Sequence, residues 1–214
     1  MFLTEEQYLH VVSLYNGSCV KSPLHLELEE FMKEEFKMDI IDYVCDMTKI
    51  GKQRLKLVVW NRKNEAPLKD KKGLNYNTKA QKKVAEKFGS LAKKYNMYPA
   101  YQNCTEIFVC CDTIQDEMQK RVLDCARRKI CSIRHKDIWK IEIIFQSIHF
   151  FYQTDEQIER HEADGLNESL IQKCQTILER YDTYHAFRDG VRCVFTSHQT
   201  LDEKYAGSMF YYTR

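Results

Sequence analysis

Eight basic side chains crowd into residues 62–83: Arg62, Lys63, Lys69, Lys71, Lys72, Lys79, Lys82 and Lys83. Only Glu65 and Asp70 oppose them, so the segment carries a net charge of +6. Trp60, Tyr76, Tyr95, Tyr98 and Tyr101 lie within it or close by. Ammonium groups contact phosphates and aromatic faces stack on bases, a mixture that suits single-stranded nucleic acid or a phosphorylated ligand. The eight cations and Tyr76 are therefore the expected contacts for a partner or for nucleic acid. The plainer expectation is a solvated loop followed by the outer face of an amphipathic helix, with the tyrosines in the core. No RNA-recognition, helix-turn-helix or KH signature accompanies the segment.

Other reactive residues form weaker patterns. Glu27, Glu29, Glu30, Glu34 and Glu35 crowd one helical stretch at mostly exposed spacing and read as a solvated face. Asp39, Asp42 and Asp46 flank a strand, as acids holding a hard divalent cation would. The next strand supplies Lys56 rather than the Glu-x-Lys of a restriction-type site, so no metal is expected there. Asp116-Glu117 and Asp202-Glu203 each follow a strand and read as acids facing a helix amino terminus. The histidines at 10, 25, 135, 149, 161, 185 and 198 show no HExxH or His-x-His spacing. His149 or His198 could serve as base to a thiol such as Cys193 or Cys111, although a buried inert cysteine explains each thiol more simply. There is no Walker loop, GxGxxG or GxSxG, so no cofactor is expected.

The nine cysteines, at 19, 45, 104, 110, 111, 125, 131, 174 and 193, are odd in number and include no CxxC or zinc-finger set. Several occupy apolar strand and helix positions, where a reduced thiol acts as a small hydrophobe. The amino terminus MFLTEEQYLH has no signal-peptide pattern, and no apolar run is long enough for a membrane helix. A cytoplasmic protein without membrane partners is expected. With 43% apolar and 30% charged residues over 214 positions, the chain can bury a real core.

These residues must be held by regular elements, because glycine and proline total only ten. Thr4 with Gln7 marks a capping box, and Gly17 closes that helix. Ser22-Pro23 starts a second helix that runs to about residue 36. Strands are predicted at 38–47 and 53–61, an exposed loop at 62–77, and a helix capped by Thr78 and stopped by Pro99. A strand at 106–112 and a helix at 113–129 follow. The alternation over 137–153 changes phase at Gln146-Ser147, which predicts a tight hairpin or bulge. Helices from Thr154 to Gly165 and from 167 to about 186, then a strand at 191–196, complete the pattern.

Shifting the chain by 86 residues sets 81–117 over 167–203 with six identities in 37 positions, among them Tyr95 on Tyr181 and Asp116 on Asp202. The expected fold is α+β: two similar helix-strand-strand-helix-strand units, an internal duplication, packed as one pseudo-twofold body. Their expected extents are 22–112 and 113–214, after an amino-terminal helix in 1–21.

The overall charge of +2 hides a strong segregation: residues 1–48 carry −7, 49–131 carry +12 and 132–214 carry −3. Segregated charge steers complementary partners, unless it is consumed within the fold. Without a catalytic signature, the expected function is a non-enzymatic cytosolic binding protein acting through a protein–protein surface. Immunity proteins and inhibitors offer a class-level analogy. The first alternative is nucleic-acid binding through the basic middle third, and the second is an enzyme of unrecognised type. The chain is expected as a monomer or homodimer, with the 53–61 edge available for pairing.

Overall fold

The structure, a computed structural model, describes residues 3–102 and 106–214; Cys104 lies outside them. The fold is α+β, and the chain divides into two compact units, Met1–Gln115 and Asp116–Arg214. No described helix is long and apolar enough to cross a membrane.

The first unit begins with α1 (Glu5–Tyr15), where Thr4 and Gln7 form the capping box read from the sequence. In α2 (Pro23–Phe36) the Ser22 hydroxyl accepts the His25 N–H and proline occupies the first turn. Strand β1 spans only Asp42–Met47. Met38 and Ile40, expected within it, precede it as buried irregular chain. β2 (Gln53–Val59) follows across the turn at Gly51.

Residues 62–77 are more structured than the expected loop. They include α3 (Arg62–Glu65), a 3₁₀ turn over Ala66–Leu68 and an isolated bridge between Lys69 and Tyr76. α4 (Thr78–Lys94) is capped by Asn77, not Thr78: the Asn77 side-chain oxygen accepts from Lys79 and Ala80. Pro99 does not stop this helix either. α4 ends five residues earlier at Lys94, and Pro99 opens the short α5 (Pro99–Gln102). A methyl group on Gly89 would meet the Tyr101 carbonyl oxygen at 3.1 Å, which explains a glycine in mid-helix. β3 (Phe108–Thr113) leads into α6 (Ile114–Ile130).

β2 pairs antiparallel with β1 on one side and parallel with β3 on the other. The expected free edge at 53–61 is therefore the middle of the sheet, because the chain returns through α4 to cover it. Residues Leu55, Leu57, Val59 and Val109 join Leu24, Leu28 and Met32 of α2 and Val84, Phe88 and Leu91 of α4 in one core. Alternation sends Arg54 and Lys56 to the opposite face.

The second unit repeats this strand order. β4 (Ile138–Ile144) and β5 (Ser147–Tyr152) form the expected tight hairpin, with Phe145 at φ 53° in its two-residue turn. α7 (Asp155–Ala163) and α8 (Leu166–Glu179) lead to β6 (Arg192–Ser197), which lies parallel to β5. α8 stops short of 186 because Asp182 accepts the backbone N–H groups of Ala186 and Phe187, both at 2.8 Å, turning the chain. α9 (His198–Tyr205) and α10 (Met209–Tyr212) finish it.

The gapless shift of 86 holds along α4 and α8, where Val84, Phe88 and Ala92 match the buried Leu170, Cys174 and Leu178. It fails beyond them, since Phe108 opens β3 while Arg192 opens β6, two residues closer. Asp116-Glu117 consequently lies in the first turn of α6, whereas Asp202-Glu203 lies in the second turn of α9. The helix-start explanation applies to the first pair alone.

Candidate functional site

The basic segment is arranged around Tyr76. Its hydroxyl accepts the Cys111 N–H at 2.8 Å and donates to Glu65 at 3.1 Å. The Lys69 ammonium sits 3.9 Å above its ring and 3.4 Å from Glu65. Burial, first of all, pushes the Tyr76 phenol far above its ordinary range. Tyr76 and Lys69 thus brace the loop, and the ring face is already covered.

Beyond this brace, Asp70 accepts the N–H groups of Lys72 and Leu74 at 3.1 and 3.2 Å, while Gly73 turns at φ 71°. The closed loop presents Lys71, Lys72 and Leu74, the last 76% exposed. Among the described residues, Lys63, Lys71, Lys72 and Lys79 form no ion pair, and all four are exposed. Arg62 is also exposed but has an interaction of its own. Lys82 has only Glu86, 3.9 Å away on the same exposed face.

Part of the charge segregation is consumed internally. Lys83 pairs with Glu35, and Glu27 accepts from both Lys94 and Tyr95, so the acidic face of α2 is tied to the basic face of α4. The expected solvated acidic face is in part a helix–helix seam. The other aromatics are occupied as well. Trp60 is buried and stacks on Tyr15 at 5.0 Å, and Tyr98 and Tyr101 pack around Phe88.

A concave feature, separate from the basic loop, is not legible in the spacing. A cavity of about 490 Å³ in the first unit is lined by His10, His25, Asp42, Cys45, Tyr43 and Tyr98, among others. The volume falls in the range of small-ligand sites. Asp42 Oδ1 accepts the Tyr43 N–H at 2.7 Å and lies 3.7 Å from His25 Nδ1. Its Oδ2 lies 3.7 Å from His10 Nε2, too far to bond, and among the described residues neither Oδ2 nor His25 Nε2, both buried, has a hydrogen-bond partner. Burial raises the Asp42 carboxyl above its usual range. Burial and then the Lys21 ammonium lower His25 to about 4. The pair favours neutral forms, which suits hydrogen bonding to a small polar molecule.

This arrangement has a pH consequence. The folded-state value for His25 lies below its unfolded 6.5, so its neutral form stabilises the fold fully above about pH 6.5, and that stability is lost as pH falls toward 4. The raised Asp42 acts in the opposite sense, so the loss is at most about 3 kcal/mol. In an NMR titration the His25 ring is expected to titrate near 4; an ordinary histidine value would refute its burial as a neutral base.

Cys193 and Cys111 fit the plainer reading of partly buried, inert thiols, and neither His149 nor His198 is placed to act as their base. Cys193 packs into the second core, while His149, in register with Val194, points to the other face and bonds the Tyr212 hydroxyl at 2.8 Å. His198 packs against Trp139, with ring centroids 4.2 Å apart and the planes inclined at 48°, and faces Asp202. Burial raises Cys111, so it is no ready nucleophile.

No family model, curated protein or solved structure matches the chain. Function must be read from its own geometry.

The acids flanking β1 are also resolved. Asp39 is exposed and apart. Asp46 takes two short bonds from Arg54, 2.6 and 2.7 Å, and Lys56 stands 3.3 Å from Asp46 and 3.6 Å from Asp112 of β3. A buried ammonium thus fills the position between two carboxylates. In the second unit, His161 of α7 lies between Asp137 and Asp164, with His135 beside it. Twenty-four residues separate Asp137 from His161, so no local motif could reveal this group.

Proposed function

We propose that this protein is a non-enzymatic cytosolic binding protein whose working surface is the braced basic loop and adjoining α4 face, engaging an acidic patch on a partner protein. Inhibitors and immunity proteins act in this general way. The observation that carries the reading is a pre-ordered loop that presents an exposed leucine between uncompensated lysines. Pre-ordering lowers the entropic cost of binding, and an apolar tip ringed by charge has the anatomy of a small interface. The contacts proposed are Arg62, Lys63, Lys71, Lys72, Lys79, Lys82 and, at the loop tip, Leu74. Lys69, Tyr76 and Lys83 hold the surface in place. A cytoplasmic setting suits eight described cysteines that are all free thiols.

Single-stranded nucleic acid is the less favoured partner because the ring of Tyr76 is covered and Trp60 is buried, leaving little for base stacking. The same reading takes the two units as copies of one duplicated module, supported by their shared strand order.

The test compares wild type with Lys71→Glu/Lys72→Glu in quantitative capture from the native host. Wild type is expected to retain a stoichiometric protein, and the variant to lose affinity by about 10- to 100-fold, mainly through a slower, salt-dependent association. Salt-sensitive retention on single-stranded nucleic acid, abolished by the same variant, would install the nucleic-acid alternative instead. If neither is retained, the reading fails. An enzymatic alternative draws support from the cavity around His25 and Asp42, and would be favoured if the wild-type protein and the loop variant, but not His25→Gln, bound and converted a small polar molecule.

A further inference from the structure

His135, Asp137 and His161 each offer a ligand atom, and these atoms lie within 4.8 Å of one another. We propose that they bind one divalent transition-metal ion of the zinc class. Two imidazoles with one carboxylate form a borderline nitrogen–oxygen set, which favours zinc, cobalt or nickel over the all-oxygen sites of calcium and magnesium.

Three further observations support the assignment. His161 is 4% exposed, and its Nδ1 bonds Asp164 at 2.8 Å. A carboxylate behind a metal-binding histidine fixes the ring and directs the other nitrogen toward the ion. That nitrogen, Nε2, lies 2.9 Å from Asp137 Oδ2. Two ligands about 2.1 Å from a tetrahedral ion would be about 3.4 Å apart, so this pair has to open by only about 0.5 Å to admit one. Finally, a guanidinium nitrogen of Arg160 sits 2.6 Å from Asp137 Oδ2 and 3.3 Å from His161 Nε2. Arg160 thus places positive charge where both ligand atoms converge. Its side chain is 55% exposed, so it can withdraw into solvent as the ion enters. Gln157 holds the other oxygen, Asp137 Oδ1, at 3.3 Å, and the Asp137 N–H points to His135 Nδ1 at the same distance.

A salt-bridge cluster that merely pins α7 to the chain before β4 would use the same contacts. The two differ over Arg160: a purely structural arginine leaves no metal to bind, whereas a stand-in cation competes with one. The reduced full-length protein is titrated with Co²⁺, followed by its visible spectrum, and with Zn²⁺ by calorimetry. One equivalent is expected to bind. His135→Ala and the near-isosteric Asp137→Asn are each expected to weaken binding at least tenfold, and Arg160→Ala to match or exceed the wild-type affinity. Circular dichroism verifies that each variant is folded, and His161→Ala, the third ligand variant, is expected to weaken binding to a similar extent. Lack of stoichiometric uptake by wild type overturns the proposal. So does uptake unaffected by the His135 and Asp137 changes, a thiolate-to-cobalt charge-transfer band, or weaker binding by Arg160→Ala.

Discussion

Phe88→Ala is expected to destabilise the first unit by about 4 kcal/mol, the sum of lost transfer free energy and an unfilled cavity. Phe88 is completely buried on α4 and belongs to the core with Leu28, Leu57 and Val109. Its ring also meets Tyr43 at 5.4 Å, Tyr101 at 5.6 Å and Tyr98 at 5.8 Å, two of them edge-on. Such aromatic contacts add about 0.5–1.5 kcal/mol each to simple burial. Tyr43 and Tyr98 line the cavity beside His25, so their loosening should reach that site. The expected companion result is a His25 titration that moves from about 4 back toward its ordinary value. Phe88→Leu keeps much of the volume and should cost about 1.5 kcal/mol. Urea unfolding of both variants decides the matter, and a loss below about 1.5 kcal/mol for the alanine would mean that the core closes over the space.

Removing the Lys56 side chain is expected to cost about 3 kcal/mol at neutral pH, for an electrostatic reason. Lys56 is 2% exposed and its ammonium faces Asp46 and Asp112. Lys56→Ala keeps Asp112 in a site where burial already raises its carboxyl above the usual range, a rise that Lys56 opposes. Without the ammonium the folded-state value rises further above the unfolded 3.8. A group raised in this way favours the fold below its unfolded value and loses that advantage as pH rises through its folded value. The deficit of Lys56→Ala should therefore shrink as pH falls from 7 toward 4. Lys56→Met/Asp112→Leu removes both charges and should recover most of the stability, because well-packed apolar groups often replace a buried ion pair at little cost. Equal losses for the single and double variants would show that packing, not charge, governs the position.

The parts of this protein that could be read directly were those set by neighbours in sequence. The capping box at Thr4 and Gln7, the Ser22-Pro23 helix start and the hairpin at Phe145-Gln146 depend on residues within four positions of one another. Even here a one-residue choice is not settled by spacing. Thr78 and Asn77 are both good caps, and the asparagine prevails because its side chain reaches two N–H groups at once. The end of α8 is not legible in the sequence because apolar spacing continues past the point where Asp182 turns the chain. The basic segment was visible as composition, yet the division of its lysines into braces and free charges was not. That division depends on Glu35 and Cys111, 48 residues before Lys83 and 35 after Tyr76.

By itself, then, the sequence determined that the chain is α+β, where most helices and strands begin, and that positive charge is concentrated in its middle third. Those properties follow from period, capping and composition, which act over a few bonds. Only the tertiary structure decided that β2 lies between two strands, that Lys56 is enclosed by carboxylates from both, and that Tyr76 is a brace. The same holds for His25 and Asp42 at one cavity and for His161 between Asp137 and Asp164. The physical reason is common to all of them. Hydrogen bonds and ion pairs form over about 3 Å in space, and a parallel strand or a returning helix makes neighbours of residues that the linear order leaves far apart.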